Sequence, residues 1–194
     1  MLKNSILILI TALIAIGGGA ASLSYALKAQ EGVGAIAVGS WVAFPDIGTP
    51  DADPYTKARV SREGVLALGR AEGLSFIAEK DASGNILRQE CAYVIEGKVP
   101  TSRFWTLYAA DRSLTAITSE GAGASALHSY GILRGDGDTF SVTAGRKPAA
   151  GNWLAVHGNG QMYFVLTLYD TPVASSTGLS GIQLPRIVRA TCNA

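Results

Sequence analysis

Met162-Tyr163-Phe164-Val165-Leu166-Thr167-Leu168-Tyr169 is apolar on both of its alternating faces. In extended backbone, Met162, Phe164, Leu166 and Leu168 point one way, and Tyr163, Val165, Thr167 and Tyr169 the other. A strand that offers no polar face to water belongs at the centre of a sheet. Upstream, His157-Gly158-Asn159-Gly160 is a tight connection back to a second run, 152–156. Further short runs lie at 34–44, 73–80, 86–96, 102–109, 113–118, 139–144 and 183–189, separated by turn formers. Asp81-Ala82-Ser83-Gly84-Asn85 reads as a hairpin loop joining two of them. Many short strands at this spacing predict an all-β domain, a β-sandwich or jelly-roll. One short helix is expected from Pro54 to Arg62, with Asp53 as its N-cap and Pro54 at its first position.

Thr-Leu-Tyr occurs twice, at 106–108 and 167–169, which would fit two paired core strands or chance. The 23 glycines among 194 residues suit turns and strands better than long helices. Hydrophobic residues make up 48% and charged residues 16%, a balance that excludes a disordered chain.

The N-terminal segment is of another kind. Between Lys3 and Lys28 lie 24 residues without a charge. As a helix they would extend ~36 Å, enough to cross a hydrocarbon core of ~30 Å. Lys3 sets a positive start, which places the N-terminus in the cytoplasm and the rest outside it. The expected organisation is therefore a single transmembrane anchor at 1–27 and a β-domain at 28–194. The small residues Gly18 to Ala21 leave a cleaved signal peptide as the alternative. Either way the chain is exported, with the inner membrane and periplasm as the expected location.

Export bears on the cysteines. Cys91 and Cys192 are the chain's two cysteines and both follow the anchor, so an oxidising compartment predicts one disulfide between them. Two buried thiols are the alternative. From Lys28 onward, 15 Lys and Arg face 15 Asp and Glu, since Lys3 accounts for the net charge of +1. A neutral body without a basic cluster argues against nucleic-acid binding.

Several of these segments together resemble one family. Arg103-Phe104-Trp105-Thr106-Leu107-Tyr108 is similar to an aromatic Leu-Tyr strand of the bacterial "domain of unknown function 1214" family. Asn152-Trp153-Leu154, followed by Phe164 to Tyr169 and Asp170-Thr171-Pro172, resembles its C-terminal signature. Leu184-Pro185-Arg186-Ile187 resembles its closing segment, and Asp53-Pro54-Tyr55 an early motif of short, membrane-anchored members. Ala155 stands where the family usually has Pro. The resemblance spans Trp41 to Arg189. It implies a β-sandwich without an assigned activity, and supplies no catalytic residue. In larger relatives a domain numbered 1254 precedes this one, so a separately encoded partner carrying that companion domain is expected.

Residues that could carry chemistry are few. Neither His128 nor His157 has another His or a Cys within five residues, so no zinc spacing exists and neither metal nor cofactor is expected. Gly123-Ala124-Ser125-Ala126-Leu127 stops short of a nucleophile elbow and reads as a small-residue loop. The pairs Asp51 with Asp53 and Asp136 with Asp138 lie in turn-forming sequence, where Asp is favoured for its backbone hydrogen bonds. Trp41, Trp105 and Trp153 are expected in the core, with Trp153 covering its end beside the tight turn. The competing expectation is a ligand pocket formed by Arg103, Trp105, Arg134 and Trp153. Function is then expected to be noncatalytic: an envelope-anchored binding or assembly module. The alternative is an envelope enzyme acting on a small molecule from scattered residues.

Overall fold

The computed structural model describes residues 2–28, 34–63, 68–69, 71–118, 123–174 and 181–192. Helix α1 (Leu2–Lys28) comes first. Within it, Lys3–Tyr25 is long and apolar enough to cross a membrane, and none of that stretch is buried against the body.

The body is mostly β. Its strands are β1 (Ile36–Val38), β2 (Trp41–Ala43), β3 (Gly73–Ala78), β4 (Cys91–Gly97), β5 (Phe104–Ala110), β6 (Ala126–His128), β7 (Phe140–Gly145), β8 (Asn152–Ala155), β9 (Tyr163–Tyr169) and β10 (Arg186–Cys192), with helix α2 (Pro54–Glu63) between β2 and β3. They form a six-stranded sheet in the order β1-β2-β3-β9-β5-β6 and a four-stranded sheet in the order β10-β4-β7-β8.

The two sheets pack face to face, and rings make the join. Tyr93 of β4 meets Phe164 of β9 edge-on at 5.8 Å, and Trp105 of β5 stacks on Phe140 of β7 at 5.2 Å. Alternation supplies the rest of the core: Phe76, Leu107, Leu166 and Leu168 from one sheet, Ile95, Val142, Leu154 and Ile187 from the other. Strand β9 is central, as its two apolar faces require, and lies between β3 and β5. The repeated Thr-Leu-Tyr segments do lie on neighbouring strands, with Thr106 opposite Thr167 and Leu107 opposite Leu166.

Helix α2 begins where its cap predicts. Asp53 accepts a hydrogen bond from the Thr56 amide at 3.1 Å and another from the Thr56 hydroxyl at 2.5 Å. Gly73 opens β3 at φ +156°, and a Cβ there would come within 2.1 Å of the Leu168 carbonyl oxygen. Only glycine lets the strand start so close to β9.

Five expectations are corrected. The Asp81–Asn85 turn closes a hairpin of a single bridge and does not pair β3 with β4. After one bridge, Lys80 to Ile86, the chain leaves the six-stranded sheet for the other. The reason is docking on β10. The Ala82 amide donates to the Ile187 carbonyl at 2.8 Å, and buried Asp81 lies 3.2 Å from Arg189 Nε. The His157–Gly160 connection likewise crosses from β8 in one sheet to β9 in the other. Residues 113–118 form no strand, because Asp111 Oδ1 takes hydrogen bonds from the Ser113 amide, the Ser113 hydroxyl and the Thr115 amide and curls the chain locally. Conversely, the small-residue run ends in a strand: β6 pairs with β5 along the sheet edge, with Ser125 just before it. The single run expected at 34–44 is two strands folded on one another, Val38 facing Trp41.

Candidate functional site

A loop at one edge of the sandwich brings together what sequence reading kept apart. Strand β6 ends at His128, and the chain then turns, with the Gly131 amide donating to the His128 carbonyl at 3.0 Å. It continues through Arg134 and a short 3-10 turn, Asp136–Asp138, into β7 of the other sheet. Asn152 of β8 holds this loop down. Its side-chain oxygen accepts from the Leu133 amide at 2.7 Å, and its side-chain nitrogen donates to the carbonyls of Leu133 at 2.8 Å and Ser141 at 2.9 Å. The amide thereby behaves like an extra rung of β-ladder between loop and strand. Arg134 adds a second tie, donating to Asp138 at 2.5 Å and to the Ser129 carbonyl at 3.1 Å.

One flank of the loop walls a cleft of about 660 Å³ on the outer face of the four-stranded sheet. Glu96, Arg134, Thr139, Ser141, Thr143 and Asn152 supply its polar lining. Glu96, Ser141 and Thr143 face outward because Ile95, Phe140, Val142 and Ala144 alternate inward.

The other flank carries rings on the outer face of the six-stranded sheet. Phe104 is their hub, with centroids 5.9 Å from His128, 5.6 Å from Tyr130 and 5.8 Å from Tyr169. Register explains the grouping, since Phe104 lies directly opposite Tyr169 and His128 opposite Thr106 on the next strand. Tyr130 is 78% exposed, and its hydroxyl donates to the Arg103 carbonyl at 3.3 Å. Arg103 and Asp170, both exposed, lie 3.7 Å apart at the strand ends beside these rings.

Of the four residues expected to form a pocket, Arg134 alone lines the cleft. Trp105 is buried beneath it, with the Arg134 guanidinium 6.0 Å from its ring. Arg103 stands on the ring face. Trp153 is half-buried on edge strand β8, opposite Thr143, and its indole nitrogen donates to the Gly145 carbonyl at 3.0 Å. The core expectation thus describes Trp41 and Trp105, while Trp153 is not among the buried core residues. Sequence reading missed Glu96, Ser141, Thr143, Phe104, Tyr130 and Tyr169 as one neighbourhood. Phe104 and Tyr169 were legible only as members of two strands.

A second cleft, of about 940 Å³, lies at the turn between β1 and β2 and the segment 183–186. Its two acids already have structural partners. Asp81 bonds the amides of Ser83 and Asn85 and pairs with Arg189, and Glu79 accepts from Gln161. Trp41 seals the seam by donating to the Pro185 carbonyl at 2.7 Å.

The displaced pKa values mark structural work. Burial raises Tyr93 and Tyr108, with neighbouring Tyr169 adding to the second. The Gly160 amide lowers Glu90, helped by Arg88, and the Ser113 hydroxyl lowers Asp111. None of these four lines either cleft. Cys91 and Cys192 face one another across β4 and β10 and are joined as a disulfide, their Cα atoms 4.1 Å apart.

These features define a two-sheet β-sandwich behind an apolar helix, with a polar cleft and an exposed ring face on either side of one pinned loop. The sequence profile of the family described as "Protein of unknown function (DUF1214)" matches residues 72–173, more than half of the chain, and the chain belongs to that family. The matched region contains β5, Asn152-Trp153-Leu154 and β9, while Asp53-Pro54-Tyr55 and Leu184 to Ile187 fall outside it. A Vibrio parahaemolyticus protein of known crystal structure shares the fold at TM-score 0.57 and 19% identity, over 73% of this chain and 36% of its own. A Burkholderia cenocepacia protein aligns at TM-score 0.43 and 15% identity, over 94% of this chain and 52% of its own. The chain thus spans about a third to a half of these relatives. No curated protein matches it.

Proposed function

We propose that this protein is a noncatalytic binding module of the bacterial cell envelope. In this reading α1 anchors it in the inner membrane, and residues 28–194 form one periplasmic domain. The observation that carries the binding role is the exposed ring cluster around Phe104. Tyr130 stands 78% exposed there, although a soluble surface has little use for a grouped set of rings unless something covers them. Anchoring is supported by the length and apolarity of Lys3–Tyr25, and an oxidising compartment by the disulfide. An enzyme would gather groups of displaced pKa in a cleft. Here the displaced groups lie in strands and turns away from both clefts, which favours binding over catalysis. A separately encoded protein carrying the companion domain 1254 is one partner such a surface would suit. The 36% coverage of the Vibrio protein supports this by leaving room in relatives for a further module.

Photocrosslinking in intact cells tests the reading. A photoreactive phenylalanine analogue at Tyr130 should attach to a defined envelope component. The same analogue at Ile86, which is 47% exposed and away from the rings, should not. Equal capture at both positions would refute a binding role for the ring face.

A further inference from the structure

We infer that the second cleft, at the turn between β1 and β2, binds an amphipathic carboxylate, a monoanion with an apolar tail. This site is separate from the ring face and does not rest on it. Three pieces of chain wall it. One is the β1–β2 turn, where Gly39 takes φ +61° and Val38 folds back to face Trp41. Another is the Asp81–Gly84 turn, docked by the Ala82 amide on the Ile187 carbonyl. The third is 183–186, held to β2 by the bond from the Trp41 indole to the Pro185 carbonyl. Bonds between residues distant in sequence therefore give the cleft its shape before any ligand arrives. Its volume of about 940 Å³ suits a small molecule, whose sites run to ~300–1,000 Å³.

Charge selects the kind of ligand. Ser40, Lys80, Gln183 and Arg186 line the cleft, and each side chain can donate hydrogen bonds. Among the described residues none of the four side chains has a hydrogen bond or ion pair. The acids of the lining are differently placed. Asp81 takes the amides of Ser83 and Asn85 and pairs with Arg189, while Glu79 accepts from Gln161. Counting Arg189, three cations (Lys80, Arg186, Arg189) face two acids (Glu79, Asp81), a surplus of one positive charge. Glu96, opposite Arg186 in register, lines the other cleft and forms no ion pair with it. Unpaired donors with a single surplus charge call for a monoanion that accepts hydrogen bonds. A carboxylate meets the fork of a guanidinium with two parallel bonds, and a lysine adds a point charge.

The remaining wall selects the tail. Ala37, Val38, Val42 and Leu184 also line the cleft, over the buried ring of Trp41. Val38, Val42 and Leu184 are only partly buried, so a ligand lying on them removes more apolar surface from water. An inorganic anion gains nothing from that wall. A neutral lipid leaves the donors without partners. An amphipathic carboxylate uses both halves of the lining.

The test uses the full chain in nanodiscs of zwitterionic lipid, with empty nanodiscs as the blank. Octanoate, acetate and octylammonium are the probes. Titration calorimetry should show saturable octanoate binding, tighter than that of acetate by about ten-fold or more, and none of octylammonium. Lys80→Gln and Arg186→Gln should each weaken octanoate binding about three-fold, as loss of an exposed ion pair does, and together about ten-fold. Both side chains are exposed and without partners, so neither change threatens the fold. Lys98→Gln, at an exposed lysine outside the cleft, should leave binding unchanged. Equal binding of acetate would overturn the apolar half of the ligand, and equal binding of octylammonium its charge. Binding that survives the double substitution would overturn the location. No octanoate binding would refute the site, while the ring-face reading would still stand or fall on crosslinking at Tyr130.

Discussion

Two tryptophans of similar sequence setting have different environments, and mutation should separate them. Trp105 is 2% exposed and stacks on Phe140, so truncation opens a cavity between the sheets. Trp105→Ala should cost ~3–5 kcal/mol, as large-to-small core changes do. Trp153→Ala should cost clearly less, since its ring is only partly buried and its edge strand keeps its backbone pairing. Equilibrium unfolding of the two variants checks this order, and a Trp153 variant as unstable as the Trp105 variant would refute it. Glu90 provides a pH test. Its carboxylate accepts the Gly160 amide at 3.0 Å and so holds the turn between β8 and β9 against the start of β4. That bond holds its pKa below the ordinary 4.5, with Arg88 assisting. A lowered carboxylate contributes stability that is full above 4.5 and is lost as the pH falls from there through the lowered value. NMR titration should find the midpoint below 4.5, and Glu90→Gln should flatten that part of the stability profile. A midpoint at or above 4.5 would contradict the assignment.

At the scale of elements, edge strand β10 depends most on a covalent tie. It pairs on one side only, with β4, and its register shifts between Arg189 and Thr191. The disulfide clamps the pairing beyond that shift, where Cys192 faces Cys91. Closing a loop of 101 residues contributes up to ~4.7 kcal/mol in the chain-entropy model. Replacing both cysteines with serine should lower stability by ~2–4 kcal/mol. Amide exchange should rise first at Thr191 and Cys192, with β9 still protected. Full alkylation of the untreated protein, without prior reduction, would show that the pair is not bonded. The loop after β6 shows the same logic without a covalent bond. Asn152 fastens it by two hydrogen bonds to Leu133 and holds to Ser141 of β7 by a third, so the first residue of the Asn-Trp-Leu motif positions the cleft wall.

At the scale of the molecule, the arrangement is a neutral sandwich behind one apolar helix. In the proposed topology Lys3 stays in the cytoplasm and Ala194 lies in the periplasm. Reporter fusions after Ala194 should be active with a periplasmic reporter and silent with a cytoplasmic one. The full chain should remain with membranes after alkaline extraction. Activity of the cytoplasmic reporter alone would reverse the topology, and release by alkali would favour a cleaved leader.

Local chemistry made much of this legible from residues alone. The uncharged stretch after Lys3 is long enough for a helix that spans lipid, whatever follows it. The apolar faces of Met162 to Tyr169 demanded a central strand, because either face turned to water would be costly. Asp53 and Pro54 started α2 through bonds made within one turn. Two cysteines, in a chain read as exported, had one partner each. What the sequence could not decide was where a chain goes after a turn. Asp81 to Asn85 looks like any hairpin loop, yet its docking on Ile187 and Arg189, more than a hundred residues away, sends β4 into the other sheet. The candidate site has the same origin. Phe104, His128 and Tyr169 sit on three strands far apart in sequence, and they meet only because β9 and β6 pair on either side of β5. Sheet pairing is set by which faces bury together across the whole body. The ring cluster therefore exists only in the tertiary structure.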